Sequence, residues 1–232
     1  MFSIIIVVLL SYLIGAIPAS LWMGKIFFKT DIREHGSGNA GATNTFRILG
    51  WKAGVIVLLF DFGKGLLCTT VISQIAWNIG TGPVQIYSNW EVDAMIVIFA
   101  GMAAVIGHMF PVYANFNGGK GAATACGMLY GIEPVSISIS LAVFLIVMIA
   151  TRYVSLGSII STAIYPFSQL TLRYGLNWDI DGSIILFSSV IAVAIIVKHK
   201  GNIKRLIEGK ENRIKSFKPA TGRINQDQKE PS

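Results

Sequence analysis

Apolar runs separated by short polar loops dominate this chain, at about 2–23, 51–77, 94–109, 122–131, 135–150, 154–172 and 183–197. Runs of this length and polarity fold as membrane helices, because hydrocarbon offers no partner to an unpaired peptide group. Charged residues make up 13% of the 232 residues against 53% hydrophobic, too few to coat a soluble surface. The run 122–131 supplies only about 15 Å of helix, half the hydrocarbon thickness. Glu133-Pro134 interrupts the chain just after it. Seven segments, one of them a partial span, or five merged ones are both possible. Charge placement favours seven: Lys25, Lys29, Arg33, Arg47, Lys52, Lys120, Arg152, Lys198 and Lys200 then share the inner side, with Arg173 as the one exception. The expected fold is all-α, a polytopic integral membrane protein of about seven transmembrane or partial-span helices, with the N-terminus outside and the C-terminus cytoplasmic. No Lys or Arg precedes the first run, whereas a secretory signal carries its charge in front. The formal net charge of +7 therefore orients the chain and does not call for nucleic acid.

Three polar stretches fall on the inner side of this topology. The first contains Ser37, Asn39, Asn44 and Arg47 among glycines and threonines. These are donors for an anion, with one guanidinium able to bind phosphate bidentately. The second centres on Asn117-Gly118-Gly119-Lys120-Gly121, where glycines admit a close backbone approach and lysine adds a compact charge. It is not a nucleotide P-loop, since Ala114 stands at the first glycine position and Gly121 at the Ser/Thr position. The third places His199, Asn202 and Arg205 at helical spacing, on one face. Carboxylates are sparse in all three, so neither a metal site nor a cofactor is expected. The set suits an anionic phosphate ligand.

Other features read as structural. Asp61 and Lys64 lie three apart inside an apolar run and are expected to pair. His108, at a helix end, is expected to bond a backbone carbonyl. Cys68 and Cys126 show no metal spacing and are expected to be buried thiols. Asn89, Glu91 and Asp93 are assigned to an outer loop. Residues 1–211 form the membrane domain, and 212–232 form a polar, basic cytoplasmic tail expected to be disordered and attracted to anionic lipid.

The run from Ser37 to Asn44 with Arg47, the run from Gly107 to Thr124, and His199 with Asn202, Arg205, Gly209 and Glu211 closely resemble three motifs of one family, in order. That family is the bacterial membrane acyl-phosphate:glycerol-3-phosphate acyltransferases (PlsY). Ala40 stands where a proline is common. The resemblance implies transfer of an acyl chain from acyl phosphate to the 1-hydroxyl of glycerol 3-phosphate, giving lysophosphatidic acid and inorganic phosphate in phospholipid synthesis. It places the enzyme in the bacterial cytoplasmic (inner) membrane with its active site facing the cytoplasm. Its partners would be acyl phosphate, glycerol 3-phosphate and membrane lipid. It implies catalytic roles for Ser37, Arg47, Lys120, His199 and Asn202. Substrate-binding roles fall to Asn39, Asn44, Gly118, Gly119, Gly121, Ser155 and Arg205. The general base would be His199 or the substrate's own phosphate oxygen. His35, His108 and His199 each lack the aspartate five residues on that soluble-donor acyltransferases use. An organic-phosphate transporter is the alternative, although its site would sit at the bilayer midplane.

Overall fold

The computed structural model describes residues 2–78 and 92–214. Asn89 and Glu91 lie outside the described residues, as does the tail from 215 onward. Asp93 is instead in the first turn of a helix. Every regular element among the described residues is helical. The main helices are α1 (Phe2–Gly15), α2 (Ala42–Leu49), α3 (Trp51–Thr70), α4 (Val92–Met109), α5 (Ala122–Ile132), α6 (Pro134–Thr151), α7 (Val154–Leu170), α8 (Gly182–Lys198) and α9 (Lys200–Ile207).

Four helical stretches, Phe2–Phe27, Trp51–Asn78, Asp93–Ala114 and Pro134–Thr151, are long and apolar enough to cross a membrane. A fifth follows if α8 and α9, bent by 54° at His199, count as one span. Ile146, Phe167 and Val193 point outward and exposed, a distribution tolerable only against lipid. The chain is an integral membrane protein, all-helical among the described residues.

Local chemistry sets the helix ends. The Glu133 carboxylate accepts from the amides of Val135 (3.0 Å) and Ser136 (2.8 Å), with Pro134 opening α6. Asp181 caps α8 in the same way, accepting from the Ser183 amide at 2.7 Å. Arg173, the exception to the charge pattern, donates to the Ile180 carbonyl and stacks 5.5 Å from the Tyr174 ring.

Two groups of helices face each other. In one, α4 packs against α1, α3 and α5; in the other, α6, α7 and α8 form a sequential layer. The contact between α3 and α5 is nearly backbone to backbone. A Cβ on Gly127 would lie 1.9 Å from the Phe62 carbonyl oxygen, and one on Gly65 would lie 2.0 Å from that of Thr124. Lipid supplies no hydrophobic drive between helices, so close approach of small residues replaces it. A buried cluster of Val105, Met128, Leu129, Ile137, Tyr165, Ile191 and Ile195 joins the two groups.

Charge inside this packing is paired. Lys64 Nζ lies 2.9 Å from Asp61 Oδ1 and donates to the Ile17 carbonyl at 3.2 Å. His108 departs from expectation: its Nδ1 faces Asp61 Oδ1 at 3.3 Å. All three side chains are buried, and a carboxylate without water needs every donor within reach.

The α3–α5 contact makes a paired prediction. Gly127→Ala should destabilise by about 1–3 kcal/mol or more, because backbone has to move. Gly63→Ala, on the same helix as Gly65 but with nothing within 4 Å, should be neutral or stabilising. Thermal unfolding of both variants in detergent checks the difference.

Candidate active site

The three polar stretches converge on one cavity of about 490 Å³ between the two helix groups. Its mouth carries Ser37, Asn39, Arg47, Lys120, His199 and Asn202. Its inner wall is largely apolar, with Leu129, Ile137, Leu141, Phe144, Ile191 and Ile195.

A chain of polar contacts ties the second stretch to the third. The Lys120 ammonium donates to Asn202 Oδ1. Asn202 Nδ2 donates to Glu211 Oε1 at 3.0 Å, and Arg205 Nε donates to Glu211 Oε2 at 2.9 Å. Glu211 reaches this position because the chain reverses after α9 at Gly209, whose φ of +67° suits glycine. The Lys210 amide closes that turn on the Arg205 carbonyl at 2.8 Å. The segment then runs across the α6–α7 turn: Arg213 lies 5.8 Å from the Tyr153 ring, and the Ile214 amide donates to the Arg152 carbonyl at 2.8 Å. The first residues of the expected tail are thus docked against the domain.

Glu211 is the residue that composition hid. The sequence offered it only as the last letter of a motif, and carboxylates looked sparse. The signal was Gly209, a helix-ending glycine that returns the next residues to their own helix.

The structure separates the other sequence candidates. Asn44 touches the cavity, but its amide is spent on the loop before α2. Nδ2 donates to the Ile32 and His35 carbonyls, both at 3.0 Å, and Oδ1 accepts from the Ser37 amide at 3.0 Å. Asn44 thereby fixes where Ser37 stands. The Ser155 hydroxyl is buried on the cavity wall and has no hydrogen-bond partner among the described residues. Arg205 sits behind Glu211 and is not on the wall.

Gly118 and Gly119 do not line the cavity either. A Cβ on Gly119 would lie 2.1 Å from His108 Nε2 and 2.7 Å from the Ala40 carbonyl oxygen. Its amide already donates to the His108 carbonyl at 3.1 Å. These glycines let the loop nest against His108. Gly121, with φ +85°, then turns the chain into α5, and it lines the cavity together with Ala122 and Ala123. The anion-seeking backbone at this site is therefore the N-terminus of α5.

Burial sets the charge states. It pushes the Lys120 ammonium down to about 8; the Glu211 carboxylate opposes that shift, and Arg205 and Arg47 reinforce it. Burial, followed by the Lys120 charge, also holds the His199 imidazole down to about 4. His199 Nδ1 lies 2.8 Å from the Ile195 carbonyl oxygen, so the proton of the neutral ring sits on Nδ1 and Nε2 keeps its lone pair. Among the described residues no group of His, Cys, Asp and Glu is arranged to hold a metal ion.

Residues 5–209 match the family model described as glycerol-3-phosphate acyltransferase. The chain belongs to that family. It is 43% identical over 227 residues to the glycerol-3-phosphate acyltransferase of Salinibacter ruber, covering 97% of this chain and 98% of the relative. Identity to the enzyme of the same name from Chlorobaculum tepidum is 42% over 230 residues, covering 92% and 97%. Among solved structures it is similar to PlsY, an integral membrane glycerol 3-phosphate acyltransferase. The glycerol 3-phosphate form of PlsY matches with TM-score 0.72 and 34% identity, over 91% of this chain and 96% of that one. The lysophosphatidic acid form gives 0.73 and 33%, over 97% and 99%.

In this acyltransferase, Glu211→Ala should unpair Arg205 and release Asn202 from alignment with Lys120. We expect roughly a hundredfold loss in kcat/KM, the scale of a misplaced catalytic group. Steady-state kinetics on folded, monodisperse protein measures it.

Proposed function

We propose that this chain transfers a fatty acyl group from acyl phosphate to the 1-hydroxyl of glycerol 3-phosphate, releasing lysophosphatidic acid and inorganic phosphate. The observation that carries this reading is the shape of the cavity. A cationic mouth formed by Arg47, Lys120 and the start of α5 opens onto an apolar interior, complementary to a phosphate head on an acyl chain.

The donor is a mixed anhydride and needs no covalent enzyme intermediate. The 1-hydroxyl oxygen attacks the acyl carbon, an ester bond forms, and the bond from acyl carbon to phosphate oxygen breaks. Negative charge moves onto the departing phosphate, where Lys120 and the amides opening α5 stabilise it. Arg47 and Ser37 hold the phosphates of the pair, and Ser155 donates to the donor from the wall. His199 Nε2 accepts a hydrogen bond from the attacking hydroxyl and orients it. A ring held near 4 is too weak a base to keep the proton, which passes to a phosphate oxygen of the substrate. Asn202 aligns Lys120, and Arg205 acts through Glu211.

The reaction belongs on the cytoplasmic face of the bacterial inner membrane, with the N-terminus outside. The support is the sequence asymmetry of Lys and Arg, which collect in the segments bearing the three motifs.

The deciding assay supplies purified protein with glycerol 3-phosphate and either acyl phosphate or acyl-CoA. Lysophosphatidic acid should form from acyl phosphate alone. Product from acyl-CoA alone would overturn the donor assignment. Lys120→Ala should cost at least roughly a hundredfold in kcat, as loss of a charge-stabilising donor does. Arg47→Lys should also lose rate, since the planar fork is gone. The KM for acyl phosphate should be flat from about pH 7, above the second phosphate ionisation at about 6, to about 8, and climb beyond that as Lys120 loses its proton.

A further inference from the structure

Below the mouth, the cavity runs along α7 and α8 to a definite end. Tyr165 and Ser188 line it; Gln169, fully buried just beyond them, does not. These three side chains are bonded across the two helices. Gln169 Nε2 donates to Tyr165 Oη at 3.1 Å, and Ser188 Oγ donates to Gln169 Oε1 at 2.7 Å. Helix rise places both sides of this floor at one depth: Ser155 to Tyr165 on α7 is about 15 Å, and Lys198 back to Ser188 on α8 is about 15 Å.

The wall above the floor is suited to methylene groups. Ser158 Oγ donates to the Val154 carbonyl at 3.0 Å and Ser161 Oγ to the Ser158 carbonyl at 3.2 Å, so both hydroxyl protons are turned away onto the helix. Leu129, Ile137 and Ala192 also line this part of the wall, as do Thr162 and Ser140, whose buried hydroxyl has no hydrogen-bond partner among the described residues. Aliphatic floors yield by changing rotamer. A floor of hydrogen-bonded buried polar groups resists this, because displacement breaks the Gln169–Tyr165 and Ser188–Gln169 bonds and leaves their donors and acceptors in hydrocarbon.

We propose that the Tyr165–Gln169–Ser188 network is a stop that sets the longest acyl chain this protein accepts. This rests on the reading that the acyl chain of the donor occupies the cavity. Chains that end above Tyr165 fit. Longer ones have to break the network or leave sideways past Leu141, which is exposed on the lipid side of the same wall.

The test is kcat/KM for a saturated acyl-phosphate series from octanoyl to eicosanoyl, on the unsubstituted protein and two variants. Tyr165→Ala removes the floor. Ala192→Phe narrows the channel part-way down, and Gln169→Leu, which breaks the network at similar volume, takes the place of the first variant if that does not fold. The unsubstituted protein should show a cut-off, with a drop of roughly tenfold or more for a chain too long for the pocket. Tyr165→Ala should move the cut-off to longer chains and Ala192→Phe to shorter ones, while the KM for glycerol 3-phosphate stays put. That last readout separates a ruler from a general loosening of the fold. Unmoved cut-offs in the folded variants, or no cut-off at all, would overturn the stop and leave the acyltransfer reading standing. Absence of product from every acyl phosphate in the unsubstituted protein would overturn the functional reading, and this inference with it.

Discussion

The hydrogen-bonded chain from Lys120 through Asn202 and Glu211 to Arg205 is the constraint on which the site depends. It joins the loop before α5 to a segment 82 residues later, from Lys120 to Asn202. A buried ammonium would ordinarily lose its proton to escape the cost of desolvation. Here the Glu211 carboxylate opposes that loss, and the amide of Asn202 stands between them as a spacer. The arrangement keeps a cation at the mouth without neutralising it by direct contact. A directly paired lysine would have to exchange its carboxylate for the substrate's phosphate; this one does not.

Packing behind the site serves the same end. Gly65 and Gly127 bring α3 and α5 into backbone contact, which fixes where α5 starts. Gly119 lets the preceding loop lie on His108, and His108 is held by the Asp61–Lys64 pair. Asn44 pins the loop carrying Ser37 in front of α2. Each polar motif therefore has its own anchor in the helix bundle. Glycine in this protein serves close approach at several of these anchors, and anion contact falls to the helix N-terminus that follows.

Much of this was legible in the sequence. Apolar runs gave the helices from Trp51 onward nearly to their ends, with Glu133-Pro134 breaking the chain where α6 starts; the first run, read to 23, leaves α1 at Gly15, and α2 lies inside a stretch read as polar loop. The first polar stretch was visible because donors without solvating Lys and Glu are out of place between membrane helices, the second by its glycines around one lysine, and the third by His199, Asn202 and Arg205 at helical spacing. Three things were not legible. The Gly118-Gly119 pair looks the same whether it cradles a phosphate or nests on a histidine, and only the three-dimensional neighbours decide. His108 and Asp61 are far apart in sequence, so their pairing depended on how α3 and α4 pack. Glu211 lies beyond a turn whose direction is set by one positive φ at Gly209. Periodicity carries no information on that.

The central claim is that an anion sits between Lys120, Arg47 and the first amides of α5. Determining the structure of this protein with a non-hydrolysable acyl-phosphonate analogue of the donor bound tests it most directly. The account predicts the phosphonate within hydrogen-bond distance of the Lys120 ammonium and of the Ala122 or Ala123 amide, with the acyl chain in the cavity. A phosphonate seated instead on the basic outer face of α9, around Lys200 and Lys204, with the cavity mouth unoccupied, would contradict it.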